Sequence, residues 1–213
     1  MRHDKKTMNY QRRMLALMGF LLPILSTLPG FIAGDRNAPD FWWSISATFY
    51  ATTVIFMCSD LGIFSFFLCT YKGYDIGDRI TCCFSGVMSA CILLFPCKTS
   101  AAGETTGVFN LLTPISHIIH CIVAALLFGS FAFMIGCRFT KHDPALVLTE
   151  KKQQRNRIYK TCALIILTAM AMQALTSMLD IGWFTIINET IMLWAFSFAW
   201  AVKADTFKFL SDT

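Results

Sequence analysis

Of the 213 residues, 55% are hydrophobic, only 15% are charged and 20 are phenylalanine; the formal net charge is +5. Soluble domains average about 25% charged residues, so this composition excludes an ordinary soluble fold and points to a membrane. The positive balance reflects how Lys and Arg are distributed between apolar stretches and their contact with anionic lipid; it implies no nucleic-acid partner.

A bilayer core about 30 Å thick requires roughly 20 mostly apolar residues per crossing helix. Six stretches meet that requirement, which predicts an all-α bundle of six transmembrane helices forming one domain over residues 1–213. The first covers 14–33 and contains Pro23 and Pro29, each expected to kink it. MRHDKK and QRR precede it and GFIA loosely resembles a cleavage site, yet its apolar run exceeds the roughly 7–15 residues of a signal core, so a retained helix is expected. The second covers 47–70, with Ser44 and Ser46 placed either to cap it or to face a cavity mouth. YKGYDIGDR then leads into the third, 80–97; Asp75 and Asp78 are expected to cap that helix, and Lys72 and Arg79 to meet lipid headgroups. The fourth, 114–136, opens on Thr113 as the expected cap and Pro114 at the first helical position. The fifth covers 159–179, and the sixth, 182–202, is interrupted by Asn188 and Glu189.

Positive residues gather on the cytoplasmic side of membrane proteins. Arg2, Lys5, Lys6, Arg12 and Arg13 precede the first helix, and Arg138, Lys141, Lys151, Lys152, Arg155 and Arg157 follow the fourth. GDRNAPD, KTSAAGETTG and the turn at Asp180 hold few positive charges and are expected outside. Both termini are thus expected to be cytoplasmic, in a plasma membrane or bacterial inner membrane. Membrane lipids are the expected partners; the pattern leaves a homo-oligomer open.

Nine cysteines include no CxxC, and most fall within or beside predicted helices, where they serve as small apolar fillers. Gly86 and Ala90, Ala125 and Gly129, and Ala195 and Ala199 are spaced for close helix packing. Trp42, Trp43 and Trp183 fall where an outer aromatic belt would lie.

Ionisable groups inside an apolar helix are functional candidates, because each is costly there unless it faces protein or water. Asp60, His117, His120 and Glu189 are such groups. His117 and His120 are three residues apart and share a helix face. At about 1.5 Å per residue, His120 and Glu189 lie at one depth in the outer half, Gln173 in the same layer and Asp60 about one turn deeper. Ser59 and Ser46 complete the expected pocket lining.

Three chemistries suit this set. His117, His120 and Glu189 could hold a divalent metal, zinc best, with Asp60 or Glu189 as a catalytic carboxylate in hydrolysis of a lipid ester or amide. The same groups could relay protons or ions, or simply hydrogen-bond across helices. HExxH is absent, and HxxH alone is a weak signal.

SDLGIFSFFLCTYKGYDIGDR, the HxxxA pattern at His120 to Ala124 and the closing NETIMLWAFSFAWAVKAD together resemble a bacterial family of six-helix membrane proteins of unknown function, itself distantly similar to the DRAM and Sfk types. The resemblance spans nearly the whole chain. It implies the six-helix fold and matches Asp60, His120 and Glu189 to polar positions of the pattern, while His117 has no counterpart and no activity is implied. Alkaline ceramidases and progestin/adiponectin-type receptors resemble the chain only in idea, since a third intramembrane His and a seventh helix are missing here. The functional expectation is a polar pocket that takes a lipid or small amphiphile, with metal-assisted hydrolysis as its catalytic form. A proton-coupled carrier or channel and a non-catalytic assembly or stress component are the alternatives.

Overall fold

A computed structural model describes residues 2–34, 40–142, 147–179 and 181–210, with side chains for all of these except 2–5 and 33. Most of GDRNAPD (35–39), Asp180 and the side chains of Arg2 and Lys5, all used above to orient the chain, lie outside the described residues.

Among the described residues six α-helices dominate: α1 (Arg2–Ala33), α2 (Val54–Thr70), α3 (Ile76–Leu94), α4 (Thr113–Phe133), α5 (Glu150–Met178) and α6 (Phe184–Lys203). A π turn, Met134–Arg138, extends α4, and a two-stranded antiparallel hairpin, β1 (Thr105–Thr106) with β2 (Leu111–Leu112), lies between α3 and α4. Five helices, all except α2, are long and apolar enough to cross a membrane, as an integral membrane protein requires. Their outer faces are apolar too: Ile55, Phe66, Ile118, Ile122 and Leu164 are exposed, which an aqueous surface rarely tolerates in such density.

Several expected boundaries shift. α1 begins well before residue 14 and remains one helix through Pro23 and Pro29; Ser26 and Thr27 hydroxyls bond the carbonyls of Leu22 and Pro23 in the stretch that the prolines weaken. α2 starts at Val54 instead of 47, because residues 46–50 form a tighter 3₁₀ turn that ends at extended Ala51. α5 starts at Glu150, nine residues earlier than expected, with Thr149 accepting from the Lys152 N–H as its cap. Asp75 caps α3 in the same way. Thr113 is not a cap: it is the first residue of α4, and its hydroxyl donates to the Gly103 carbonyl.

The core is a column of aromatic rings. Phe131 of α4 and Phe196 of α6 lie 4.1 Å apart between centroids, and Phe64 of α2 closes the group at 5.4 Å from Phe196. Trp200, one turn further along α6, meets Tyr71 and Phe139, each at 5.0 Å and nearly edge-on. All six rings are buried, and the tilted geometries suit the quadrupoles of the ring faces and edges.

The loops sort to two ends of the bundle. At the basic end Arg12 meets Tyr71, and Arg138 pairs with Asp75 and Asp78. At the other end Ser44 meets Glu189, and Asp40 accepts from Ser100. α2 and α3 pack closely at Gly86, where an added Cβ would lie 2.5 Å from Cys69 Sγ and 2.8 Å from the Ser65 carbonyl oxygen. Gly62 has open space.

Gly86→Ala should therefore lower the apparent Tm in detergent by several degrees, because the clash outweighs the roughly 1 kcal/mol helix-propensity gain. Gly62→Ala, which keeps that gain without a clash, should leave Tm unchanged or higher. A second expectation concerns Asp75, whose carboxyl is pushed down to about 2 by hydrogen bonds from Lys141 and the Asp78 N–H and by the charges of Arg138 and Lys141. A depressed folded pKa stabilises above the ordinary value near 3.8, and the effect disappears as pH falls through about 2. The stability difference between wild type and Asp75→Asn should accordingly be full at neutral pH, narrow below about 4 and vanish near 2.

Candidate functional site

Between α4, α5 and α6, at the end opposite the basic loops, lies a cavity of about 610 Å³. Ala124, Ala125, Phe128, Met170 and Met192 give it an apolar side, and Asp40, Ser44, Lys98, His117, Gln173 and Glu189 supply its polar groups. Cys121, Ala125 and Ala174 on its wall are exposed, so it reaches the side of the bundle.

Glu189 is held by the chain before α2. The Ile45 N–H donates to Oε2 at 2.6 Å, and the Ser44 hydroxyl lies 3.0 Å from both carboxylate oxygens. Ser44 Oγ in turn accepts from the Ser46 N–H at 3.1 Å. A carboxylate offers about four acceptor sites, so these donors leave it capacity for a further donor. Both donors come from the two-residue link between the 3₁₀ turns at Phe41–Trp43 and Ser46–Tyr50.

Gln173 ties α5 to α6 with its whole amide. Its Nε2 donates to Thr185 Oγ1 at 2.9 Å and Ser177 Oγ at 3.2 Å, and its Oε1 accepts from Asn188 Nδ2 at 3.1 Å. Asn188 is buried by this contact.

The two histidines of α4 are oppositely used. His120 Nδ1 lies 2.8 Å from the Phe95 carbonyl oxygen, which can only accept, so Nδ1 carries the proton and Nε2 of the neutral ring keeps its lone pair. His117 Nδ1 accepts from the Lys98 N–H at 3.2 Å, so its neutral ring carries the proton on Nε2, 3.8 Å from Cys121 Sγ. The pair therefore offers one free imidazole lone pair, where chelation by both rings needs two. Among the described residues no group of three or more His, Cys, Asp or Glu side chains comes together in a way that could hold a metal ion.

His117, His120, Gln173 and Glu189 thus share one cavity, while Asp60, Ser59 and Ser46 are not on its wall. Asp60 follows Met57 on the inward stripe of α2 that continues through Phe64 and Leu68 into the aromatic column, and its Oδ2 is buried without a partner. Ser59, about 100° further round the helix, is exposed. Ser46 is buried, and the adjacent Ala47 reaches the cavity instead. Asp60 shares the buried stripe of α2 with Phe64, whose ring packs on Phe131 of α4 and Phe196 of α6, and that packing directs it away from the cavity. Lys98 and Asp40 were not legible beforehand; both belong to loops without periodic spacing, Lys98 held against His117 through its N–H and Asp40 held by the Ser100 N–H and hydroxyl.

Cys91 and Cys97, near the end of α3, are both free. Burial pushes the Cys97 thiol up, and Glu189 adds to the effect. Comparison of the chain with protein-family models, with curated proteins and with solved structures finds no match.

Glu189→Gln keeps one acceptor for Ile45 but turns an amide donor toward the Ser44 hydroxyl, whereas Glu189→Ala leaves the Ile45 N–H unpaired. The Ala variant should lose about 1–3 kcal/mol, roughly twice the loss in Gln, and expose the 40–50 segment to limited proteolysis.

Proposed function

We propose that this is a multi-pass membrane protein of six crossing segments with both termini cytoplasmic, whose cavity takes a lipid or small amphiphile from the outer half of the bilayer. The gathering of Arg12, Arg138 and Lys203 at one end supports that orientation. α2, with 17 residues, measures about 25 Å, and the 3₁₀ turn at 46–50 lengthens its path toward the roughly 30 Å of a bilayer core.

The cavity itself carries the reading. Its 610 Å³ lies within the range of about 300–1,000 Å³ typical of small-molecule sites. The Ala, Phe and Met side matches an acyl chain, and Glu189, His120 Nε2 and Lys98 offer the opposite end an acceptor pair and a cation for hydroxyl, amide or ester groups. Its opening at Cys121, Ala125 and Ala174 faces sideways, where acyl chains lie. Recognition needs only these groups. Zinc-assisted hydrolysis would additionally require a second free imidazole lone pair and so a different His117 contact.

The test is photo-crosslinking of a diazirine-bearing monoacylglycerol to the reconstituted protein, mapped by peptide mass spectrometry. Labels should concentrate on residues 121–128 and 170–177 and fall at least tenfold in Ala124→Trp, which fills the apolar side. Labels spread evenly over the outward faces, Ile118 and Leu164 included, and unaffected by Ala124→Trp would mean that lipid merely surrounds the bundle.

A further inference from the structure

At the basic end Arg12 of α1 is 1% exposed. Its Nε donates to the Tyr71 hydroxyl at 2.9 Å, and its Nη1 donates to Asn9 Oδ1 at 2.8 Å and to the Lys203 carbonyl at 3.3 Å. All three acceptors are uncharged, and Nη2 is buried with no partner. The Tyr74 ring lies 5.0 Å from the guanidinium and also 5.0 Å from Lys203 Nζ, which sits 4.9 Å from the Phe139 ring on its other side.

Among the described residues neither cation forms an ion pair. Three described carboxylates of this end have other partners: Asp75 and Asp78 pair with Arg138 and Lys141, and Asp205 lies near Arg155. Burying a charge is costly and normally brings a counter-charge, whereas an aromatic ring face offsets only part of that cost. A second buried donor without an acceptor is close by, the Nε1 of Trp200, whose ring packs edge-on to Tyr71. Among the described residues this end of the bundle therefore holds two cations, Arg12 and Lys203, that no carboxylate pairs with directly, and two buried donors without an acceptor.

We propose that Arg12 and Lys203 form a binding site for a phosphate group, reached by displacement of Tyr74. Tyr74 is 66% exposed and lies in the short link between α2 and α3, where Gly73 takes φ +66. That ring lies against both cations, so its movement would open a shared path to them. A tetrahedral oxyanion presents separate oxygens to donors arriving from two helices, and guanidinium with ammonium is a pairing suited to it. The site is independent of the cavity, because Glu189 and Lys203 are separated along α6 by roughly 20 Å. The phosphate can belong to a lipid headgroup at the membrane face or to a free phosphate compound.

Native mass spectrometry of the full chain in mixed micelles distinguishes these sources. One arm offers phosphatidic acid against diacylglycerol of the same chains, and the other inorganic phosphate against chloride at constant ionic strength. One phosphate-bearing adduct per chain is expected, held at least tenfold less tightly in Lys203→Met, which keeps an apolar stem against Phe139 and removes the charge. Tyr74→Ala, at an exposed position that leaves the core intact, should tighten binding by about threefold as the ring ceases to compete. Retention of phosphatidic acid alone assigns the group to a headgroup, and uptake of inorganic phosphate assigns it to a free compound; both support the site. Equal retention of diacylglycerol with no phosphate uptake overturns the proposal, as does an adduct indifferent to both substitutions.

Discussion

The stacking of Phe196 and Trp200 against rings from three other parts of the chain is the interaction on which this structure depends. Phe196 meets Phe64 and Phe131, and Trp200 meets Tyr71 and Phe139, so one face of α6 is gripped by α2, α4 and the segments that follow them. If the bundle sits in lipid, apolar surface alone gives little reason for helices to associate, because acyl chains are equally apolar. Ring contacts of defined tilt and buried hydrogen bonds then carry the specificity. The Ser85 and Ser130 hydroxyls, 2.7 Å apart between α3 and α4, are an example of the second kind.

With α6 gripped in its middle, its two ends take on different chemistry. Glu189 near its start is enclosed by backbone and hydroxyl donors, a neutral cradle for a carboxylate. Lys203 at its end lies among aromatic faces and beside the buried guanidinium of Arg12. One end therefore offers acceptors next to an apolar cavity, and the other offers donors without a counter-charge. A single rigid helix holds both.

Much of the architecture was legible in the chain, since six apolar runs with polar connections leave few alternatives when each helix must satisfy its own backbone. Gly86, within a pair of small residues four apart, marked a close helix crossing, and α3 does approach α2 there. Other features misled for identifiable reasons. Hydropathy begins only where charges end, so it missed the charged first turns of α1 and α5, which hydrogen-bond as helix whatever their polarity. It also continued α2 back through 47–53, because a 3₁₀ turn of apolar residues has the same hydropathy as a helix.

The sequence by itself determined which residues are buried in apolar segments and how far each lies along its helix, because composition and a rise of about 1.5 Å per residue are local properties. On that basis His120, Gln173 and Glu189 belong to one layer, with His117 one turn nearer the outside. Only the tertiary structure decided which neighbours those groups have. The Phe95 and Lys98 backbones give the two histidines opposite protonation sites, the Ser44 and Ile45 donors enclose Glu189, and the packing of α2 puts Asp60 on the stripe that leads into the rings. Such partners come from loops and turns remote in sequence, and no periodicity encodes them. A hydrogen bond depends on where two distant segments meet in space, and that is fixed by the packing of the whole bundle.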